Sequence, residues 1–266
     1  MAELDASLGS GAPASRLRVL VWCCALGVAA VAWAYLVHLD RQMASTMQHD
    51  AMMASMGMAT DARWTIAELA FLFAMWSVMM VAMMAPAAAP VLALVGGMQV
   101  SRAARPSRLL LPAFALGYAI VWIGFSAAAA LSQWALHDFA LISPQMALTS
   151  TIAAAVLIAA GVYQLLPAKR ACLVRCRSPL AFLMTRWRDG TFGALRMGVR
   201  HGAWCVGCCW ALMTVLFAVG VMNLVAVAAL SLFVLAEKTG PRGVLVARLG
   251  GAVLIGAGVL IAVRAA

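Results

Sequence analysis

The stretch FLFAMWSVMMVAMMAPAAAPVLALV, residues 71–95, has no charged residue. It is longer than the roughly 20 apolar residues that cross a bilayer as a helix. Similar runs recur along the 266-residue chain, which is 65% hydrophobic and only 11% charged. A soluble domain of this composition would have too little polar surface to cover itself. The sequence therefore predicts an all-α integral membrane protein rather than a β-barrel.

The apolar runs predict a bundle of about seven transmembrane helices. We expect these spans at about 16–39, 65–95, 109–131, 146–166, 197–221, 223–236 and 244–263. Lys and Arg are enriched in cytoplasmic loops, which places the basic segment 167–200 and the N-terminus in the cytoplasm. Residues 38–64 then form an outer loop. The expected organisation is a disordered tail at 1–15 and one transmembrane domain at 16–266.

The net charge of +10 would suggest a nucleic-acid partner in a soluble protein. Here the basic residues fall in loops and indicate orientation, so the expected partner is the lipid bilayer and not nucleic acid. Five of the seven cysteines lie in or beside the basic segment. Cytoplasmic thiols stay reduced, so disulfides are not expected. Nothing resembles a hydrolase triad or a nucleotide-binding loop, and no catalytic residue is predicted.

Five methionines lie within ten residues of the second predicted helix. They form two adjacent rows, one of Met75, Met79 and Met83 and one of Met80 and Met84. Glu68 falls on the same face near the outer end. Methionine is either a flexible core filler or a soft neutral ligand matched to Cu(I). Several weak sites in series would suit an ion that must also be released.

The outer loop is also rich in methionine. Its candidate ligands are Met43, Met47, His49, Met52, Met53, Met56 and Met58, with His38 just upstream. A hydrated loop has no core to fill, so capture of Cu(I) by thioether and imidazole is one interpretation. The alternative is an amphipathic segment on the membrane surface, in which methionine is only an apolar residue.

The cysteines form two groups that are suited to metal binding. Cys172 and Cys176 are four residues apart and share a face if that segment is helical. On the fifth predicted helix, an arc of about 100° at its cytoplasmic mouth holds His201, Cys205, Cys208 and Cys209. Nearby arginines favour the thiolate, which is the ligating form. Zinc, Cu(I), a thiol redox relay and an iron–sulfur centre all remain open.

Several other features predict contacts between helices. Tyr163 and Gln164 are expected to hydrogen-bond to neighbouring helices, and the glycines of GVRHG and GGAVLIGAG to allow close helix packing. Glu237 and Lys238 are interpreted as a helix-end feature, with a carboxylate near the cysteines as the alternative.

Two resemblances follow from these motifs. The outer methionines and the MxxxM steps of MWSVMMVAMM resemble those of eukaryotic high-affinity copper transporters, where methionines capture the ion and line the pore entrance. The stretches WSVMMVAMMAP, YQLLPAKRACLVRCRSP, CVGCCWALM and LAEK are similar to those of a bacterial family of integral membrane proteins described as predicted metal-binding. This second resemblance implies a multi-pass protein of the bacterial inner membrane with a metal site.

Three functional hypotheses are compatible with these residues. The first is soft-metal transport or delivery, in which the methionines capture and pass Cu(I) to the cysteines and His201. The second is an accessory or scaffold subunit of a membrane complex whose cysteines hold structural zinc. The third is a membrane thiol oxidoreductase that uses Cys205 and Cys208.

Overall fold

The computed structural model describes residues 2–55, 65–102, 108–139 and 148–265. Within these ranges the chain is almost entirely helical, as predicted. The helices are α1 Ala2–Ser55, α2 Ile66–Arg102, α3 Leu110–Asp138, α4 Ser150–Leu165, α5 Pro167–Arg177, α6 Pro179–Arg186, α7 Gly190–Val219, α8 Leu224–Thr239 and α9 Gly243–Ala265.

Five of the described helices are long and apolar enough to cross a membrane. They are α1 over Ser15–Ser45, α2 over Ile66–Met98, α3, α7 and α9. The pair α4 and α5 is bent by 63° and gives a sixth span if the two are counted together. α8 has 16 residues, which is about 24 Å at 1.5 Å per residue. Five to six spans are therefore supported, and the predicted count of about seven is not confirmed.

The first helix extends further in both directions than the sequence predicts. It begins at Ala2, inside the segment expected to be a disordered tail, and continues to Ser55, inside the expected outer loop. Residues 56–64 lie outside the described part of the chain. Once a helix is nucleated, each added residue gains a hydrogen bond at little further cost, so a polar segment extends an apolar helix readily.

The basic segment 167–200 is helical instead of forming a loop. It contains α5, α6 and the first part of α7. Pro167 and Pro179 occupy the first positions of α5 and α6, where a missing N–H is harmless. In contrast, Pro86 and Pro90 lie within α2, which continues past both to Arg102 rather than ending near them.

Close glycine contacts hold α3 against α7, as predicted for GVRHG. A Cβ atom on Gly198 would lie 2.0 Å from the carbonyl oxygen of Phe114, and one on Gly117 would lie 2.1 Å from that of Leu195. Any other residue would push the two helices apart. This crossing places Tyr118 of α3 beside Cys205 of α7 and so positions part of the candidate site.

The main core includes buried residues of α2 and α7 together with residues of α1, α3, α4, α5, α8 and α9. The rings of Trp76 and Phe217 are 5.1 Å apart, and Trp76 Nε1 donates a hydrogen bond of 2.7 Å to Gln133 Oε1 on α3. Both aromatic side chains belong to the same core cluster as the methionines of α2 and the cysteines of α7. The sulfur-containing residues of the two helices are therefore neighbours in the folded chain.

Candidate metal centre

The histidine and the three cysteines of α7 lie in the protein core. His201 is 3% exposed, Cys205 is 2% exposed, and Cys208 and Cys209 are fully buried. They share one helix face, as predicted from their spacing. The prediction that they lie at the mouth of the helix is wrong, because α7 begins at Gly190 and the cysteines are about halfway along it.

α5 brings the second pair of cysteines to the same place. Cys176 is half-buried and packs against the core cluster that contains Cys205 and Cys208. Cys172 packs on Gly207, where an added Cβ atom would lie 3.1 Å from its sulfur. The expected helical face of Cys172 and Cys176 is therefore present and is directed at α7.

Two arginines fix α5 in this position. The guanidinium of Arg175 stacks over the ring of Trp204 on α7, with its central carbon 4.4 Å from the ring centroid. Arg177 donates hydrogen bonds to the carbonyl oxygens of Glu237 and Gly240 at the end of α8, the latter at 2.6 Å. α5 is thereby linked to both helices that surround the cysteines.

A buried lysine of α8 contacts the cysteines and was not among the predicted site residues. Lys238 Nζ lies 2.8 Å from Cys205 Sγ, 3.5 Å from Met84 Sδ and 3.8 Å from Cys209 Sγ. A cation beside a thiol stabilises the thiolate, the form that binds metal. The signal in the sequence was a charged pair, Glu237 and Lys238, at the end of an apolar helix, where charge is costly.

The neighbouring carboxylate belongs to a second polar group. Glu237 accepts hydrogen bonds from Lys169 Nζ at 2.8 and 2.9 Å, and from Gln164 Nε2 at 3.3 Å. Tyr163 donates its hydroxyl hydrogen to the Gly207 carbonyl oxygen on α7. The prediction that Tyr163 and Gln164 bond to neighbouring helices is confirmed.

Tyr118 is another site residue that sequence reasoning missed. Its hydroxyl oxygen lies 3.0 Å from Cys205 Sγ. Cys205 therefore contacts polar groups from α3 and α8, and Cys176 of α5 packs against the same core cluster. Because these contacts join residues far apart in the chain, no local pattern could have indicated them.

The five candidate methionines of α2 are all buried. Met75, Met79, Met80, Met83 and Met84 are each 1–2% exposed and belong to the main core cluster. Met84 also contacts Lys238. Burial of the whole row is what core packing requires, and the contact with Lys238 brings the Met84 sulfur near Cys205.

The remaining predicted ligands within the described residues lie at the start of α2 and in the last part of α1. Glu68 accepts the backbone N–H of Thr65 and so caps the start of α2. On α1, Met43 is half-buried and Met52 is exposed. Met47, His49 and Met53 also lie on α1, beyond its apolar stretch Ser15–Ser45. Met56 and Met58 lie outside the described residues.

The candidate donor set consists of soft sulfur ligands. We define the sulfur cluster as Met84, Cys176, Cys205, Cys208 and Cys209. The thiols of Cys208 and Cys209 donate to the Cys205 carbonyl oxygen at 3.0 and 2.9 Å. In the described residues, no three His, Cys, Asp or Glu side chains already converge as a metal site. Thiolate and thioether ligands suit a soft ion such as Cu(I), and thiolates also bind zinc.

His201 supplies an additional nitrogen beside the cluster. Its ring lies among those of Phe114, Tyr118 and Phe182, with centroids 5.9–6.1 Å away. Within the part of the chain that the structure describes, its Nδ1 has no hydrogen-bond partner. A buried polar atom without a partner is costly, and metal binding is one way to satisfy it.

A family model described as PpoB2, copper chaperone, matches residues 73–261. The chain belongs to the PpoB2 copper chaperone family. The match confirms that the chain is copper-related. No curated protein and no solved structure matches it.

The extent of the PpoB2 match separates the two groups of candidate ligands. It includes the whole sulfur cluster, His201 and Lys238. It begins at residue 73, after Glu68 and the methionines of α1. The matched region therefore contains the buried cluster, and the methionines of α1 are not part of it.

Proposed function

We propose that this protein is a membrane-embedded copper(I) chaperone that binds the ion in the sulfur cluster and passes it to a partner. Cys205 is the central ligand. It contacts Tyr118 and Lys238, and Cys176 packs against the same core cluster. Rotation about their Cα–Cβ bonds would turn Cys208 or Cys209 from the Cys205 carbonyl oxygen towards the ion. Met84 and His201 supply the softer and the borderline donors.

The observation that carries this proposal is the convergence of four distant motifs on one buried point. Residues from MWSVMMVAMMAP, YQLLPAKRACLVRCRSP, CVGCCWALM and LAEK come from α2, α5, α7 and α8. Met84 and Lys238 are in contact although 154 positions separate them. Core packing alone does not require thiols, a thioether and an ammonium group to meet.

We favour delivery over conduction through the methionine row. Met75, Met79 and Met83 pack in the apolar core, where an ion would lose its water without a polar partner. A cavity of about 1130 Å³ between α1, α2 and α3 touches Met84 and Tyr118. This cavity offers a lateral approach to the cluster through which a partner's donor groups would take up the ion.

Outward-facing apolar side chains support the proposed location in a membrane. Val31 on α1 is 72% exposed, and Val253 and Val263 on α9 are each 70% exposed. Apolar side chains of this kind cover both helices, and such surfaces are favourable against lipid and unfavourable in water. We propose a multi-pass protein of the bacterial inner membrane with the basic segment 167–200 in the cytoplasm.

The test is a Cu(I) competition titration of the detergent-purified protein under reducing, anaerobic conditions. We expect about one ion per chain, and Cys205→Ser should weaken binding at least about 100-fold because it removes the central thiolate. Cys23→Ser is the matched control, since Cys23 is exposed on α1, and it should bind as the wild type does. Equal affinity of the Cys205→Ser and wild-type proteins would refute the proposal.

A further inference from the structure

Lys238 lies at the point on which the sulfur atoms converge. Its Nζ is 2.8 Å from Cys205 Sγ and 3.5 Å from Met84 Sδ. Cys209 Sγ follows at 3.8 Å. The side chain is buried, with 8% of its surface exposed. Three sulfur atoms from α2 and α7 thus surround a positive charge that the chain itself provides.

The sulfur atoms stand in for the carboxylate that a buried ammonium group ordinarily has as its partner. The adjacent carboxylate of Glu237 is directed to Lys169 instead. A buried charge requires compensation because it has lost its hydration. The partners of Lys238 in the described residues are the sulfur atoms of Cys205, Cys209 and Met84.

The use of lysine at this position is selective. Of the 19 Lys and Arg residues in the sequence, only Lys169 and Lys238 are lysines. Both are buried. Arginine is rigid and permanently charged, whereas lysine carries a compact charge on a flexible stem. Lys238 lies one residue before the end of α8, and a flexible lysine stem near a helix end allows the ammonium group to turn towards water.

We propose that Lys238 is a built-in competitor of copper(I) for the sulfur cluster. The ammonium group occupies the position where Cys205, Cys209 and Met84 would hold the ion, and two cations at such short separation repel each other. Copper binds when Lys238 swings out and leaves when Lys238 returns. At Cys205, one positive charge replaces another, and Cu–S bonds replace N–H···S hydrogen bonds. When Cys209 binds the ion, its thiol, which donates to the Cys205 carbonyl oxygen, releases its proton to water, and no electron is transferred.

This competition would set the affinity of the site to a level that permits release. A chaperone must bind its ion and also surrender it, so a cluster of thiolates without a competitor would hold Cu(I) too long. The inference rests on the proposed function, since it concerns the same cluster. It differs in what it predicts, because removal of Lys238 should tighten binding, whereas removal of a ligand should weaken it.

The direct test compares Lys238→Gln and Lys238→Arg in the full-length protein in detergent. Cu(I) affinity is measured by anaerobic competition with a chromophoric chelator. Lys238→Gln should bind Cu(I) at least about tenfold more tightly than the wild type and release it more slowly. Lys238→Arg keeps a cation and should not tighten binding.

The outcomes separate the two proposals. Unchanged or weaker binding by folded Lys238→Gln overturns the competitor role, and weaker binding is the result expected of a simple counter-ion. Failure of the wild type to bind Cu(I) overturns the proposed function, and this inference with it.

A second measurement needs no variant. Amine acylation of the wild-type protein, quantified by mass spectrometry, measures how accessible the Lys238 amine is to water. Lys169 is the internal reference. Loading with Cu(I) should raise acylation of Lys238 several-fold relative to Lys169, because the displaced ammonium group reaches water. An unchanged ratio on a copper-loaded sample overturns the competitor role even if Lys238→Gln does not fold.

Discussion

Met84 is both a core packing residue and a candidate ligand. Like Met75, it is buried in the main core cluster, but its thioether sulfur also lies 3.5 Å from the ammonium group of Lys238. A methionine can therefore be a packing residue along most of its side chain and a ligand at its sulfur. The two interpretations of the methionine row need not apply to every member equally.

A matched pair of substitutions separates these roles. Met84→Leu removes a sulfur atom from the cluster and should weaken Cu(I) binding by about tenfold. Met75→Leu makes the same change in the same core and should leave the affinity unaltered. Leu for Met is nearly volume-conserving, so both variants should unfold within about 1.5 kcal/mol of the wild type. Equal Cu(I) affinities in the two variants would show that Met84 is only a packing residue.

At the scale of residues, the sequence predicts the relative positions of some candidate site residues but not of others. His201, Cys205, Cys208 and Cys209 lie on one helix, so their spacing alone places them on one face. Tyr118 and Lys238 reach Cys205 from other helices. Their positions depend on how the helices pack, and a single sequence does not contain that information in any local pattern.

The crossing of α3 and α7 is the structural element on which the site depends most. Gly117 and Gly198 let the two backbones approach until a Cβ atom would overlap a carbonyl oxygen. Tyr118 follows Gly117 directly, and Cys205 lies two helical turns beyond Gly198. The small residues of this interface therefore determine the distance between the tyrosine hydroxyl and the central thiol.

Enlarging one glycine should disturb both stability and copper binding. Gly198→Ala places a Cβ atom 2.0 Å from the Phe114 carbonyl oxygen, and relieving this overlap should cost about 1–3 kcal/mol. Gly124→Ala on α3 is the control, because nothing lies within 4 Å of its added Cβ atom. Thermal unfolding in detergent measures the effect. A Gly198→Ala protein as stable as Gly124→Ala would contradict the close crossing.

At the scale of helices, hydropathy predicted the apolar parts of the chain and missed the polar ones. The cores of α2, α3, α7 and α9 agree with the predicted spans. The helical ends of α1 and the helices α5 and α6 were interpreted as tail or loop. Hydropathy expresses the free energy of transferring side chains from water to an apolar phase. A polar helix is instead stabilised by its own hydrogen bonds and by contacts such as those of Arg177.

The charge distribution of the whole molecule predicts its orientation. Basic residues of the segment 167–200 should remain in the cytoplasm together with the N-terminus. Whether the C-terminus lies on the opposite side depends on α8, because its 16 residues are shorter than the roughly 20 that span a bilayer. Seven spans place the C-terminus outside, and six place it in the cytoplasm.

Reporter fusions decide between these topologies. With seven spans, alkaline phosphatase fused to the C-terminus should be active and green fluorescent protein at the same position should be dark. Fusions after Arg188 provide the cytoplasmic reference. A fluorescent C-terminal fusion, together with a fluorescent fusion after Arg188, would show an even number of crossings and would remove α8 from the list of spans.

The central claim for the whole molecule is that Cu(I) is bound by buried sulfur. X-ray absorption at the copper edge of the purified, copper-loaded protein tests it most directly. We expect Cu(I) with a first coordination shell dominated by sulfur. The Cys205→Ser protein should show fewer sulfur neighbours. A first shell of nitrogen and oxygen alone, or a spectrum that Cys205→Ser leaves unchanged, would contradict it.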